Sequence, residues 1–271
     1  MSVPLATAGQ DAPGTRLPSR GRVTAEVLIV LGLSLGQSAV YAVVTLINRL
    51  TYEVPLRDQT TTLNPSRDSR EIFDLIYQVL SLGFALVPVA LVCWLLWRPD
   101  RPRLGRLGID AARPGRDLAQ GAGLALLIGI PGIGLYLAGR MLGIGVSVDP
   151  SGLDAYWWTV PVLLLSALRA GIQEEVIMLG YLFARLSDLG WGRWSIIVGS
   201  AVLRGTYHLY QGFGAFVANV LMGVLFGFLY SRTGRVIPFV VAHFAVDAAV
   251  FVGYPWVAAV WPDLFGLPDQ G

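Results

Sequence analysis

The sequence predicts an all-α fold, a polytopic membrane bundle of about seven transmembrane helices. Three observations carry that prediction. Of the 271 residues, 54% are hydrophobic and only 14% charged, against roughly 25% charged in an average soluble domain. That leaves too little polar surface to clothe a water-soluble globule. The apolar residues also fall in blocks long enough to cross a bilayer, which takes about 20 residues each. Finally, most of the arginines gather on alternate connections, as the positive-inside bias of membrane chains requires.

The first 22 residues are polar, rich in Gly, Pro and Ser, and carry Arg16, Arg20 and Arg22. They read as a disordered cytoplasmic tail. The first apolar block is too long for a signal-peptide core and reads as a retained helix. The expected spans are 24–48, 73–97, 118–141, 157–186, 194–210, 213–231 and 236–256. Pro131 is expected to kink the third. The fourth is long enough to tilt or protrude. The fifth is short and reads as partly re-entrant, which is tolerated where protein buries it. A last apolar stretch, Val257–Leu267, is too short to cross and reads as interfacial. The chain divides into the tail, a first helical half with a basic loop over 23–150, a second helical half over 151–256, and a short extracytoplasmic tail over 257–271.

Orientation follows from the arginines. Arg98, Arg101, Arg103, Arg106, Arg113 and Arg116 make the connection after the second span the most basic in the chain. It should face the cytoplasm, as should the N-terminus. Arg185, Arg193, Arg232 and Arg235 fall on that side as well. Asp149 and Asp154 fall on the other. The exception is Arg57, Arg67 and Arg70 in the first outer loop, where Glu53, Asp58, Asp68 and Glu71 dilute them. The expected location is the cell membrane.

Several function classes drop out. A formal charge of +2 is too small to point to nucleic acid. One cysteine, Cys93, excludes an intramolecular disulfide framework and a Cys zinc cluster. The absence of lysine reads as the codon bias of a GC-rich, bacterial genome and carries no mechanism.

An ionisable residue inside a span costs roughly 2.5–3.5 kcal/mol or more at mid-bilayer. The first half of the chain has almost none. The second half has Arg169, Glu174, Glu175, Arg204, His208, His243 and Asp247. Arg204 and His208 are four apart and share a helix face, as do His243 and Asp247. Glu174 and Glu175 are adjacent and diverge by about 100°. One should face the site, and the other should be supported by a charge or hydrogen bond. Counted inward from Ser187, Arg193 and Arg235 at 1.5 Å per residue, Glu174, His208 and His243 can meet within the bilayer, toward its cytoplasmic half.

The segment Glu174-Glu175-Val-Ile-Met-Leu-Gly180-Tyr181-Leu182, then His208, then His243-Phe-Ala-Val-Asp247, resembles the CAAX-processing and bacteriocin-processing (CPBP) family of intramembrane endopeptidases. The resemblance covers roughly residues 155–255. It departs from the family pattern twice. Leu179 stands where the family has an arginine, and Arg204 stands where it has a phenylalanine. A compensated swap accounts for both, with Arg204 pairing across the helix interface to Glu174 or Glu175. Arg169, five residues before Glu174, is the rival partner and is poorly placed along the helix to reach it.

The resemblance implies an endopeptidase acting on a peptide or membrane-protein substrate in the lipid bilayer. Glu174 would be the general base on a water, His208 would orient that water, and His243 would help hold the oxyanion. The family's last position is often Asn. Asp247, when ionised, can only accept hydrogen bonds, so it would orient His243, carry a proton or bind metal. No cofactor is favoured. The alternative is a divalent ion such as zinc on Glu174, His208, His243 and Asp247, although His-Glu-x-x-His is absent. Asn219 is read as helix–helix glue, or as an oxyanion donor. Tyr207, Tyr210, Gln211, Gly212, Phe213 and Gly214 read as an interfacial turn with aromatic anchors, and Gln211 is a candidate for a substrate path. Gly223 and Gly227 favour close helix packing. Two other functions stay open at this point: a non-proteolytic scaffold or immunity protein of the same fold, and a proton- or ion-coupled transporter.

Overall fold

The computed structural model describes residues 19–97 and 107–256. The expected tail over 1–18, Arg98, Arg101, Arg103 and Arg106 of the basic loop, and the stretch beyond 256 lie outside the described residues. Among those described, ten α-helices follow one another: α1 Arg20–Gly32, α2 Leu35–Leu50, α3 Glu71–Ala85, α4 Val87–Leu96, α5 Pro114–Met141, α6 Thr159–Glu175, α7 Leu182–Asp188, α8 Arg193–Tyr207, α9 Phe213–Thr233 and α10 Ile237–Ala248. A π-helical turn, Val176–Tyr181, makes α6 and α7 one continuous rod, and a second, Ala249–Gly253, extends α10. The all-α membrane bundle is therefore the observed class. The helix begins at Arg20 behind a Ser19 cap, so the last residues of the expected tail are helical.

The ten helices form seven rods that overlay the seven blocks read from the sequence. Four are long and apolar enough to cross a membrane: Glu71–Leu96, Pro114–Met141, Phe213–Thr233 and Ile237–Trp256. A fifth is the pair α1 and α2, bent by 55° at its break. The α6–α7 rod is excluded by its charges. At 15 residues, α8 is about 22 Å long, short of the roughly 30 Å hydrocarbon core. Helix α5 runs through Pro131 without a break.

Two small strands were not expected. β1, Thr60–Thr62, pairs in parallel with β2, Ser147–Asp149, and ties the connection after α2 to the one after α5. The second of these connections reaches the site. Phe213 N donates to Ile144 O at 2.9 Å, and Val146 N to Gln211 O at 3.3 Å. Between them Gly212 takes φ +97° where a Cβ would stand 2.7 Å from Ile144 O. Only glycine turns the chain from α8 into α9 there. On the opposite, arginine-rich side, Arg235 clamps Asp117 of α5 at 3.0 and 2.5 Å and reaches Asp110 at 2.9 Å. The Ala112 N–H and Arg235 hold the Asp110 carboxyl below its usual range.

Helices α8 and α9 pack backbone to backbone. A Cβ on Gly223 would lie 2.8 Å from Ala201 Cα, and one on Gly205 would lie 2.5 Å from Val220 Cγ2 and 2.9 Å from Phe216 O. Gly227 meets Phe183 and Ile197 in the same way, so the expected close packing is present within the chain. Gly205→Ala should therefore lower stability by about 1–3 kcal/mol through overpacking. Gly123→Ala in α5, with nothing within 4 Å of the added carbon, should be neutral or stabilise by up to about 1 kcal/mol through helix propensity. Unfolding midpoints of the two variants in detergent check this.

Candidate active site

Every element of the site is a helix end or a helix face turned inward. α6 delivers Glu174 and Glu175 at its last two positions, directly before the π-helical turn. Such turns insert an extra residue and re-aim the side chains around them, and they recur at functional sites. The two carboxylates part company as adjacent helical residues must. Glu175 is wholly buried, whereas the Glu174 side chain retains 12% exposure.

Arg204 of α8 lies between them. Its Nη2 donates to Glu175 Oε1 at 2.8 Å and its Nη1 to Glu174 Oε2 at 3.4 Å. The guanidinium is 1% exposed and lies 5.9 Å from the centre of the Phe226 ring of α9. This is the cross-helix pairing expected from the sequence. Arg169 takes no part, since it bonds Gln173 of its own helix at 3.1 Å.

Glu175 has a second partner. His243 Nδ1 lies 2.7 Å from the same Oε1 that Arg204 engages, and its Nε2 lies 3.4 Å from Asp247 Oδ2. Both ring nitrogens therefore face carboxylates. In this geometry neither is free to aim at an oxyanion, and Asp247 is placed to orient the ring. Gly171 of α6 allows the approach, because a Cβ there would stand 3.0 Å from Val240 O and 3.5 Å from His243 Cβ.

Glu174 faces a different set. Tyr207 Oη donates to its Oε2 at 2.7 Å, and His208 Nε2 lies 3.8 Å from that oxygen, too far for a direct hydrogen bond. Neither ring nitrogen of His208 has a hydrogen-bond partner, although both atoms are buried. A buried polar group without a partner asks for an explanation, such as a bound water or ligand. The ring is flanked by Tyr207, with centroids 4.9 Å apart, and stacks on Tyr210 at 6.5 Å.

Residues 156–249 match the family model of the Rce1-like type II CAAX prenyl endopeptidases. The matched stretch runs from just before α6 to just past α10 and holds every residue of the site. It confirms the resemblance read from the glutamate pair and the two histidines. No curated protein and no solved structure matches the chain. Rce1-like endopeptidases act, by that description, on CAAX prenyl substrates, which implies a membrane-associated peptide substrate for the family.

The structure brings together Glu174, Glu175, Arg204, His208, His243 and Asp247. It leaves two expected residues aside: Arg169, and Asn219, which donates to Ala215 O of its own helix at 3.0 Å. Tyr207 was expected in an interfacial turn. It is instead the last residue of α8, 5% exposed and bonded to Glu174. Its signal in the sequence was the spacing to Arg204, three residues along the same helix face.

The residues do not fit a metal as placed. Among the described residues no group of three or more His, Cys, Asp or Glu side chains is gathered to hold one. Two of the four proposed ligands are also engaged elsewhere: His243 between two carboxylates, and Glu174 with Arg204 and Tyr207.

Arg204→Phe should leave the buried carboxylates uncompensated and cost about 3–5 kcal/mol. Adding Leu179→Arg to that variant, which returns a positive charge to the position where the sequence resemblance expects an arginine, should recover most of the loss. Unfolding midpoints of the single and double variants measure it; a double variant no more stable than the single would break the idea of a compensated swap.

Proposed function

We propose that this chain is an intramembrane endopeptidase that hydrolyses a peptide bond with a water activated by Glu174 and oriented by His208, without a metal. The observation that carries the proposal is the pair of unpartnered nitrogens on His208, one of them 3.8 Å from the more exposed glutamate. That spacing suits a water bonded to both groups. The Rce1-like match over the same helices supports the reaction class.

In this reading Glu174 takes a proton from the water as its oxygen adds to the substrate carbonyl carbon. The resulting tetrahedral centre collapses, the C–N bond breaks, and the proton on Glu174 passes to the leaving nitrogen. Tyr207 and Arg204 hold Glu174 in one orientation, so little geometry has to be organised during the reaction. Glu175, His243 and Asp247 form the chain that braces Arg204 from the other side. The same reading keeps the seven-span arrangement with its N-terminus in the cytoplasm.

One observation favours a non-proteolytic scaffold. Glu175 Oε1 is held by both Arg204 and His243 inside the protein, as in a purely structural ion pair. Kinetics separate the two readings. Purified protein in detergent should cleave members of a peptide library that includes farnesylated peptides with a CAAX ending. Glu174→Gln and His208→Ala should each reduce the rate by about 10²–10⁴-fold without loss of fold, and chelator should leave the rate unchanged. A folded wild type that cuts nothing, or a Glu174→Gln variant as active as wild type, would defeat the proposal. Loss with chelator and rescue by one metal ion would defeat its metal-free part.

A further inference from the structure

The rim where α8 begins and α9 ends holds two cations outside the site, Arg193 and Arg232. Both are exposed, and neither has a carboxylate partner among the described residues. They converge on one ring. The guanidinium of Arg193 lies 5.2 Å from the centre of Phe228, and that of Arg232 lies 4.9 Å from it. Arg193 also lies 5.9 Å from the Trp194 ring, which stacks on Phe228 at 6.1 Å. Its Nε donates to Ser231 Oγ at 2.9 Å. That bond and the two rings fix the fork of the guanidinium and leave its two Nη groups without a partner among the described residues. Other arginines of this rim are engaged within the chain: Arg20 with Leu189 O, Arg185 with Glu26 and Asp188, and Arg235 with Asp110 and Asp117.

The cluster sits at a membrane surface. α9 is long and apolar enough to cross the bilayer, and Arg232 lies in its last turn. Trp191 and Trp194 beside it are about half exposed, as amphipathic rings are at headgroup level. Toward the hydrocarbon both helices keep an exposed apolar stripe. On α8, Trp194, Val198 and Val202 follow at i, i+4 and i+8; on α9, Leu221 and Val217 lie seven and eleven residues before Phe228. Two unpaired guanidinium groups over an aromatic floor fit a phosphate, whose oxygens accept several charge-assisted hydrogen bonds. The start of α8, where the cap Gly192 has no side chain, adds backbone N–H donors on the same rim. A free phosphate and a lipid headgroup share this chemistry. The apolar stripes decide between them, because only a phospholipid brings chains to lie along α8 and α9. A zwitterionic headgroup would set its own cation against the arginines, whereas a headgroup of net negative charge is attracted by each of them.

We propose that Arg193, Arg232 and Phe228, with Ser231 and Trp194, form a binding site for one anionic phospholipid. Its phosphodiester lies between the two guanidinium groups and its acyl chains run down the stripes of α8 and α9. The site stands apart from the peptidase reading and does not depend on it. It lies on the helix that carries Arg204 and His208, so the bound lipid anchors the start of that helix at the headgroup level of its leaflet.

The test is native mass spectrometry of the full chain released from vesicles of equal parts phosphatidylglycerol and phosphatidylcholine with the same acyl chains. The readout is the ratio of the two lipids retained on the protein. One phosphatidylglycerol kept under activation that strips phosphatidylcholine is the expected result. Arg193→Gln with Arg232→Gln should lower the ratio by about fivefold for each arginine removed. Arg232→Gln alone, at an exposed side chain with no hydrogen bond to a described residue, should give a single step of that size and guards against misfolding of the pair. Arg22→Gln with Arg116→Gln removes the same charge from two other exposed arginines and should leave the ratio unchanged. Glycerophosphoglycerol, the same headgroup without chains, should not displace the lipid. Equal retention of the two lipids by wild type, or an equal loss in the Arg22 and Arg116 control, overturns the proposal. Displacement by the chain-free headgroup or by inorganic phosphate overturns it as well, and assigns the arginines to a free phosphate.

Discussion

The site depends on one buried cation. Two adjacent carboxylates at the end of α6 could not share an apolar interior without a counter-charge, and Arg204 supplies it to both from a neighbouring helix. The planar fork of a guanidinium presents several fixed donors, so a single side chain can reach two carboxylates that point different ways. Close helix packing makes the reach possible. A Cβ on Gly223 would lie 3.3 Å from Arg204 Cδ and 2.8 Å from Ala201 Cα. The small residues of α9 thus do more than tighten a helix pair, because they make room for the stem of the arginine that neutralises the site.

With that cation in place the two glutamates divide. Glu175 is sealed in, with Arg204 and His243 on one oxygen. Glu174 keeps its exposed edge and meets Tyr207, with His208 just beyond hydrogen-bonding distance. A buried ion pair adds little net stability over a well-packed apolar core, and removing one partner is what costs. The group is better understood as fixing orientation. His243 and Asp247 brace Glu175, Glu175 braces Arg204, and Arg204 with Tyr207 fixes the carboxylate that keeps some exposure.

Much of this was legible in the sequence, for identifiable reasons. Bilayer-length apolar blocks are set by composition alone, and the seven rods follow them. Buried charges are so costly that their mere presence in the second half marked the site. The i, i+4 spacings of Arg204 with His208 and His243 with Asp247 placed them on common faces, and the charge lost at 179 and gained at 204 pointed to the cross-helix pair. What was not legible depends on contacts between distant segments. The strand pair β1–β2 has three residues on each side and no periodic signal. Tyr207 looked like an interfacial aromatic because its spacing to Arg204 becomes informative only when α8 is known to continue as far as residue 207.

The place of the arginine on α8, and not on the helix of the glutamates, has consequences for the site. At position 179 it would have been four residues after Glu175, bracing a carboxylate of its own helix across the π-helical turn. At position 204 it joins two helices, and α8 carries His208 four residues further on. The distance between Glu174 and His208 is then governed by the same ion pair that neutralises the glutamates. Helix α8, too short to span the hydrocarbon on its own, gains a fixed depth from that tether, while Gly212 and the strand-like contact with Ile144 and Val146 hold its far end. Position 179 carries no charge and is a leucine that packs there at 2% exposure. An apolar residue at position 179 and a cation at position 204 fit together in this structure, because the charge the glutamates need comes from across the helix interface.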